Sequence, residues 1–144
     1  MKLRVVWAGK TRDRNLAALT ADFAGRARKF IPLDIVELKD SKSDSAGILA
    51  AIPSEDRVIA LDPNGKTWTS AEFAAFLDRH IQYDRRPLTF VVGGPAGLDD
   101  AARKRAEISW SLSPLTFTHD MARFLLLEQI YRAMATLRNH PYPR

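Results

Sequence analysis

The chain has 144 residues, of which 46% are hydrophobic and 27% charged, with a net charge of +5. That length fills one hydrophobic core and leaves little room for a second domain, and no apolar run approaches the ~20 residues that a membrane span needs. Cysteine is absent and the three histidines stand apart at 80, 119 and 140, which excludes disulfides and thiolate chemistry and argues against a metal site.

In chain order, Leu3-Arg4-Val5-Val6-Trp7 reads as a strand, and Gly9-Lys10-Thr11-Arg12-Asp13-Arg14 as the loop behind it. Ala8-Gly9-Lys10 interrupts any apolar signal core, so no secretory leader is expected and a cytoplasmic protein is. Residues 15–29 carry Leu16, Leu19, Phe23 and Ala27 at helical spacing. A second strand, 33–38, ends in the polar stretch Asp40 to Ser45, and a short helix is predicted over 46–52, before Pro53. The third strand, 58–61, runs into Asp62-Pro63-Asn64-Gly65-Lys66, a turn signal.

Thr69 with Glu72 forms a capping box for a helix that buries Phe73, Phe76 and Leu77. A fourth strand, 88–92, stops at Gly93-Gly94-Pro95-Ala96-Gly97, and Asp99 and Asp100 suit the positive end of a helix over 99–107. Residues 108–112 read as a fifth strand and 113–118 as its loop. The last helix, 119–137, is apolar beyond one stripe, so it should be covered on more than one side, by the core and by a second subunit or by the core alone. Pro141 keeps the tail from continuing it. Strand–helix alternation with near-continuous apolar strands predicts one α/β domain, with a mostly parallel sheet and helices on both faces.

The charge is unevenly placed. Residues 1–30 hold eight Lys and Arg against Asp13 and Asp22, while 31–144 hold 14 basic and 15 acidic residues. Such a field attracts a polyanion, although a solvated basic helix face has the same composition.

Ligands of open α/β sheets sit outside the carboxyl ends of the strands, which singles out the loops after Leu61, Val92 and Leu112. The glycine turn at 93–97 admits close backbone approach, yet it is neither a Walker loop nor a GxGxxG fingerprint, and alone it reads as strand-to-helix geometry. The loop 112–118 carries no lysine, arginine or carboxylate. It suits a flat uncharged ligand such as an adenine ring, and equally a buried connection. His119 beside Asp120 is an acid/base group or a helix cap. His80, near a helix end, is an unremarkable cationic side chain there, and Arg132 is by default a solvated arginine. The tail His140-Pro141-Tyr142-Pro143-Arg144 combines an imidazole, a phenol able to stack on a base and a guanidinium for a phosphate.

Several segments then fall in one order: 91–98 (VVGGPAGL), 109–119 (SWSLSPLTFTH), 128–133 (EQIYRA) and 139–142 (NHPY), with Met1-Lys2-Leu3 and 61–66 (LDPNGK). Together they resemble the H family of ribosomal RNA large-subunit methyltransferases, pseudouridine-N3 enzymes of the SPOUT class, over essentially the full length. The resemblance implies a C-terminal trefoil knot, S-adenosylmethionine as cofactor and an obligate homodimer. It implies as target a pseudouridine of large-subunit (23S) rRNA on the assembled ribosome.

The cofactor positions that match are Leu61, Gly93, Leu112, Ser113, Pro114, Leu115, Thr116 and Phe117. The candidates for catalysis are His119, Arg132, His140 and Tyr142. Arg4, Lys10 and Arg144 are the candidate RNA contacts. The family tail usually reads His-Pro-Tyr-His-Arg, and here Pro143 stands at the second histidine, which turns attention to His140 or His119 as base, or to a reaction that requires no protein base. The competing expectations are a SPOUT enzyme acting on another RNA such as tRNA, a non-catalytic ribosome-binding factor, and a nucleotide-binding hydrolase, which lacks any supporting acid, base or metal constellation.

Overall fold

A computed structural model describes residues 1–94 and 97–143, the side chain of Ser41 excepted. The elements are β1 (Leu3–Ala8), α1 (Arg14–Arg28), β2 (Leu33–Leu38), α2 (Ser45–Ala50), β3 (Arg57–Thr67), α3 (Ser70–Tyr83), β4 (Leu88–Val92), α4 (Asp100–Arg105), β5 (Ile108–Ser111) and α5 (His119–Leu137). A short 3-10 turn at Asp40–Lys42 precedes α2.

The five strands form one sheet in the order β2-β1-β4-β3-β5, and every neighbouring pair is parallel. Side chains alternate between the faces of a strand. Leu3, Val5 and Trp7 of β1 and Leu88, Phe90 and Val92 of β4 therefore join the apolar layer beneath α1, α3 and α5. Val6, Val58, Ala60 and Val91 face the other way, against Ile48 and Ile52 at α2 and Ala102 of α4. Both faces are covered, which is why these strands read as unbroken apolar runs.

Two boundaries differ from expectation. The segment 62–66 is an excursion within β3: Leu61 and Lys66 both register with Trp110, and Thr67 pairs with Ser111. Gly65 permits the return, because a Cβ there would lie 2.5 Å from the carbonyl carbon of Ser109. The helix expected over 99–107 stops at Arg105, since Glu107 already donates its N–H to the Val58 carbonyl at 2.9 Å and begins the ladder.

The N-terminus of α3 carries the expected reciprocal cap between Thr69 and Glu72. Flanked by α1 and α3 and lying on the sheet, α5 buries Leu126, Leu127, Ile130 and Met134, but also Asp120, Arg123 and Glu128. Asn139, in the left-handed region at φ 54°, ends the helical path.

Candidate functional site

Because all strands are parallel, their carboxyl ends share one edge, and a cavity of about 440 Å³ opens there beyond β3, β4 and β5. Its wall includes Leu61, Gly93, Leu112, Ser113, Leu115, Thr116 and Phe117, seven of the eight positions singled out for a cofactor, together with His119. Pro114, the eighth, is exposed and does not line it.

The loop behind β5 is shaped by its serines. Ser111 donates its hydroxyl to the Ser113 carbonyl at 2.9 Å, and the Ser113 hydroxyl accepts the Leu115 N–H at 3.0 Å. Outside strands and helices, no main-chain to main-chain hydrogen bond among the described residues uses 112–117. Apolar side chains and free main-chain edges in one uncharged wall can hold a flat heteroaromatic ring and read its edge.

Across the cavity the glycine turn closes through a Gly97 N–H to Gly94 carbonyl bond of 2.9 Å. Gly93 is confined by that turn: a Cβ there would stand 2.8 Å from the Gly97 carbonyl carbon and 3.1 Å from the Leu98 nitrogen. Pro95 and Ala96 lie outside the described residues. Trp110, stacked on Phe73 at 4.6 Å, also lines the cavity, and its buried indole N–H has no partner among the described residues.

The sequence reading missed the charged part of this wall. Asp62 and Arg103 both line the cavity, with Arg103 Nε 3.3 Å from Asp62 Oδ2. Asp62 follows directly on Leu61 at a strand end, so the strand-end rule reaches it; Arg103 sits on α4 and carries no such signal.

At the start of α5 the cap is Thr118, whose hydroxyl accepts the Met121 N–H at 3.2 Å, so His119 is not the cap and its ring stands at the cavity wall. Asp120 instead turns into the protein, where its Oδ2 accepts the N–H groups of Arg12 and Asp13 at 2.9 Å each. Arg123, fully buried, donates to the Ala8 carbonyl at 2.6 Å and the Thr11 hydroxyl at 3.0 Å, and lies over the Trp7 ring. Burial lowers its pKa, opposed by Asp120 and Glu37. These contacts fasten the basic loop behind β1 to the first turns of α5, beside the cavity.

The other candidates lie elsewhere. Tyr142 donates its hydroxyl to Glu128 Oε2 at 2.7 Å, and Arg132 Nη2 donates to the same oxygen at 2.7 Å. The Arg132 guanidinium lies over the Tyr142 ring, whose centroid is 4.7 Å from that of Tyr131, and His140 meets the edge of Phe30. Burial and the Glu128 contact push the Tyr142 hydroxyl up to about 12. Arg132 is thus paired rather than freely solvated. At 1.5 Å per residue, Arg132 is about 20 Å along α5 from His119. One chain therefore brings Arg132, His140 and Tyr142 together, and separates them from the cavity.

Arg4 is at the amino end of β1, the opposite edge of the sheet, where it is paired with the buried Asp56. It is not presented with the site. Lys10 lines a second depression, with Thr11, Arg12 and residues 37–40, and makes no ion pair among the described residues. Arg144 lies outside the described residues. His80 is buried rather than a solvated cation: its ring donates from Nε2 to the Arg86 carbonyl at 2.9 Å and accepts Arg57 at Nδ1. Burial lowers its pKa.

Among the described residues, no group of three or more His, Asp or Glu could hold a metal ion, and no helix is long and apolar enough to cross a membrane.

Comparison with known proteins places this geometry. A family described as "Predicted SPOUT methyltransferase" matches residues 1–143. The chain is 41% identical to the ribosomal RNA large subunit methyltransferase H of Geobacter sulfurreducens, over 99% of each chain. Among solved structures, it resembles a methylase family protein from Haemophilus influenzae Rd KW20 with a TM-score of 0.61 and 12% identity, over 99% of this chain and 70% of that one. It also resembles Lpg2936 from Legionella pneumophila, solved in complex with the cofactor SAM, with a TM-score of 0.53 and 10% identity, over 92% of this chain and 66% of that one.

Proposed function

Because the chain belongs to the SPOUT methyltransferase family, as a relative of the ribosomal RNA large subunit methyltransferase H proteins, we propose that it methylates large-subunit ribosomal RNA. The donor in this reading is S-adenosylmethionine, and the acceptor is N3 of a pseudouridine in 23S rRNA on the assembled ribosome, in the cytoplasm. The observation that carries it is the cavity at the strand ends, whose wall contains seven of the eight residues matched to the family's cofactor positions.

The residues fit that group. Leu61, Leu112, Leu115 and Phe117 supply apolar walls for adenine, the main chain of 112–117 supplies its hydrogen bonds, and Gly93 lets the turn at 93–97 close tightly beside them. When bound, S-adenosylmethionine supplies an electrophilic methyl group on a sulfonium. The chain's own work is largely positioning, since holding two reactants in attack geometry removes much of the barrier.

N3 must lose its proton as the new bond forms, so a base or an anion-stabilising cation assists. With proline at 143, His119 and His140 are the imidazoles left for the proton, and Arg132 is the cation. Tyr142 bonds to or stacks on the target base, while Lys10 and Arg144 hold phosphates.

The separation of Arg132, His140 and Tyr142 from the cavity supports a homodimer in which one subunit's tail serves the other's cavity. The knot implied by the family is supported by the path of the chain: it leaves β5 at one sheet edge, yet Arg123 of α5 reaches Ala8 at the end of β1.

The test is methyl transfer from radiolabelled S-adenosylmethionine to 70S ribosomes that lack the modification, with free large subunits and tRNA as comparisons. Label at a pseudouridine of 23S rRNA in 70S particles is expected. Label on tRNA alone overturns the acceptor, and no RNA labelled with no cofactor bound by the folded protein favours a ribosome-binding factor.

A further inference from the structure

We propose that Asp62 and Arg103 form the subsite for the amino-acid end of the cofactor, Asp62 accepting its ammonium and Arg103 donating to its carboxylate. This rests on the reading of the cavity as the S-adenosylmethionine site. Apart from the imidazole of His119 and the indole N–H of Trp110, every other side chain among the described residues of the cavity wall is apolar, a hydroxyl or absent. The adenosine half of the ligand needs no more than that. Its other half is a zwitterion, and a zwitterion that gives up part of its hydration in a pocket needs an acceptor and a cationic donor close together. Among the described residues, the wall holds one such pair.

The two groups are also built to exchange partners. Asp62 opens the excursion in β3, with its side chain 10% exposed and its Oδ1 fixed by the Asn64 N–H at 2.9 Å. Oδ2 is left for a cation. Arg103 comes from α4 with its side chain 44% exposed, and approaches Oδ2 through Nε alone at 3.3 Å. A strong guanidinium–carboxylate contact is bidentate and about 2.8 Å long. The looser single contact leaves the forked end of Arg103 available, with Nη1 3.5 Å from the exposed Asp100. Inserting an ammonium beside Asp62 and a carboxylate beside Arg103 replaces one weak pair by two charge-assisted contacts, with no change in net charge of the pair. The competing explanation is a tether that only ties α4 to the excursion in β3. A tether affects stability and has no preference for one end of the ligand.

The experiment is calorimetric titration of the full-length protein with S-adenosylhomocysteine and with 5′-methylthioadenosine, which lacks the amino-acid end. In Asp62→Asn and in Arg103→Met, S-adenosylhomocysteine should weaken on the order of tenfold to a hundredfold, the value of a charge-assisted hydrogen bond, while 5′-methylthioadenosine binds as it does to the parent protein. Equal weakening of both ligands in variants with unchanged melting, or no weakening of either, overturns the proposal. Arg103→Met, at a half-exposed helix position, keeps the test open should Asp62→Asn fail to fold. A parent protein that binds neither ligand overturns the cofactor reading and the subsite with it, whereas a parent that binds both equally tightly overturns the subsite alone.

Discussion

The phenol of Tyr142 donates to Glu128 at 2.7 Å, so the C-terminal tail is latched to the middle of α5 rather than left to fray. The same carboxylate holds Arg132 at 2.7 Å. One buried acid thus organises a phenol and a guanidinium on the side of α5 that carries Tyr131 and faces Phe23.

Glu128→Gln should bring the Tyr142 titration down from about 12 toward the ordinary value of 10.0, leaving burial, the largest cause, opposed by Arg132 and Arg26. Since the folded-state value lies above the ordinary one, the latch contributes stability that is fully present below pH 10 and is lost as the pH rises through about 12. Tyrosinate absorbance at high pH, with Tyr142→Phe identifying the band, measures the shift. An unmoved band would remove Glu128 as its cause.

Gly93 and Gly94 are adjacent but not equivalent. A Cβ at Gly93 meets turn backbone at 2.8 Å, whereas one at Gly94 meets only the Ala8 methyl at 3.8 Å. Gly93→Ala should cost about 1–3 kcal/mol through overpacking and abolish calorimetric binding of S-adenosylmethionine. Gly94→Ala should bind as the parent does. Indistinguishable behaviour of the two variants would show that the turn does not shape the cavity.

Arg123 is fully exchanged from water into the protein, and Asp120 lies 3.9 Å from it. Removing one member of a buried charged set leaves the other uncompensated, so Arg123→Ala should lose about 3–5 kcal/mol in urea unfolding. The exposed pair of Lys2 with Asp34, at 2.5 Å, is the comparison, and Lys2→Ala should cost under about 1 kcal/mol. A cost at Arg123 no larger than that at Lys2 would mean the buried network is not holding the 9–13 loop.

His80 gives the fold an acid sensitivity. Burial lowers its pKa below 6.5, and the cations Arg57 and Arg86 act in the same direction, against the Arg86 carbonyl and Asp84. The unfolded chain therefore binds the proton more readily, so this contribution is present above pH 6.5 and is lost as the pH falls through the depressed value. Urea midpoints at pH 8 and pH 5 should diverge less in His80→Asn than in the parent. An equal divergence would assign the acid loss to carboxylates such as Asp84 and Glu107, which are also held below their ordinary range by Arg86.

Much of this was legible in the residues. The runs at 58–61 and 88–92 put buried side chains on both faces of the sheet, and a strand with that pattern is stable only between two helical layers. Thr69 with Glu72 marks a helix start because the cap is a local exchange of hydrogen bonds. The loop after β5 was legible as uncharged, which suited a flat ligand and a buried connection alike, and only the structure sets it in the wall of the cavity. The excursion at 62–66 was not recognisable as such: its residues spell a turn, and only pairing with β5 across more than forty positions tells a turn from a detour.

What the sequence determines by itself is therefore local: which segments are strands and helices, where they start, and which loops lack charge. The family resemblance carries further, since it rests on an ordered set of short motifs rather than on any single contact. Tertiary structure alone decides the fate of the charges. Arg4, Lys10 and Arg123 have the same charge in the chain, yet one is bound to Asp56, one faces a depression without an ion-pair partner among the described residues, and one is buried over Trp7. The reason is physical: a charge is stabilised or silenced by what lies within a few ångströms of it, and those neighbours come from distant parts of the chain.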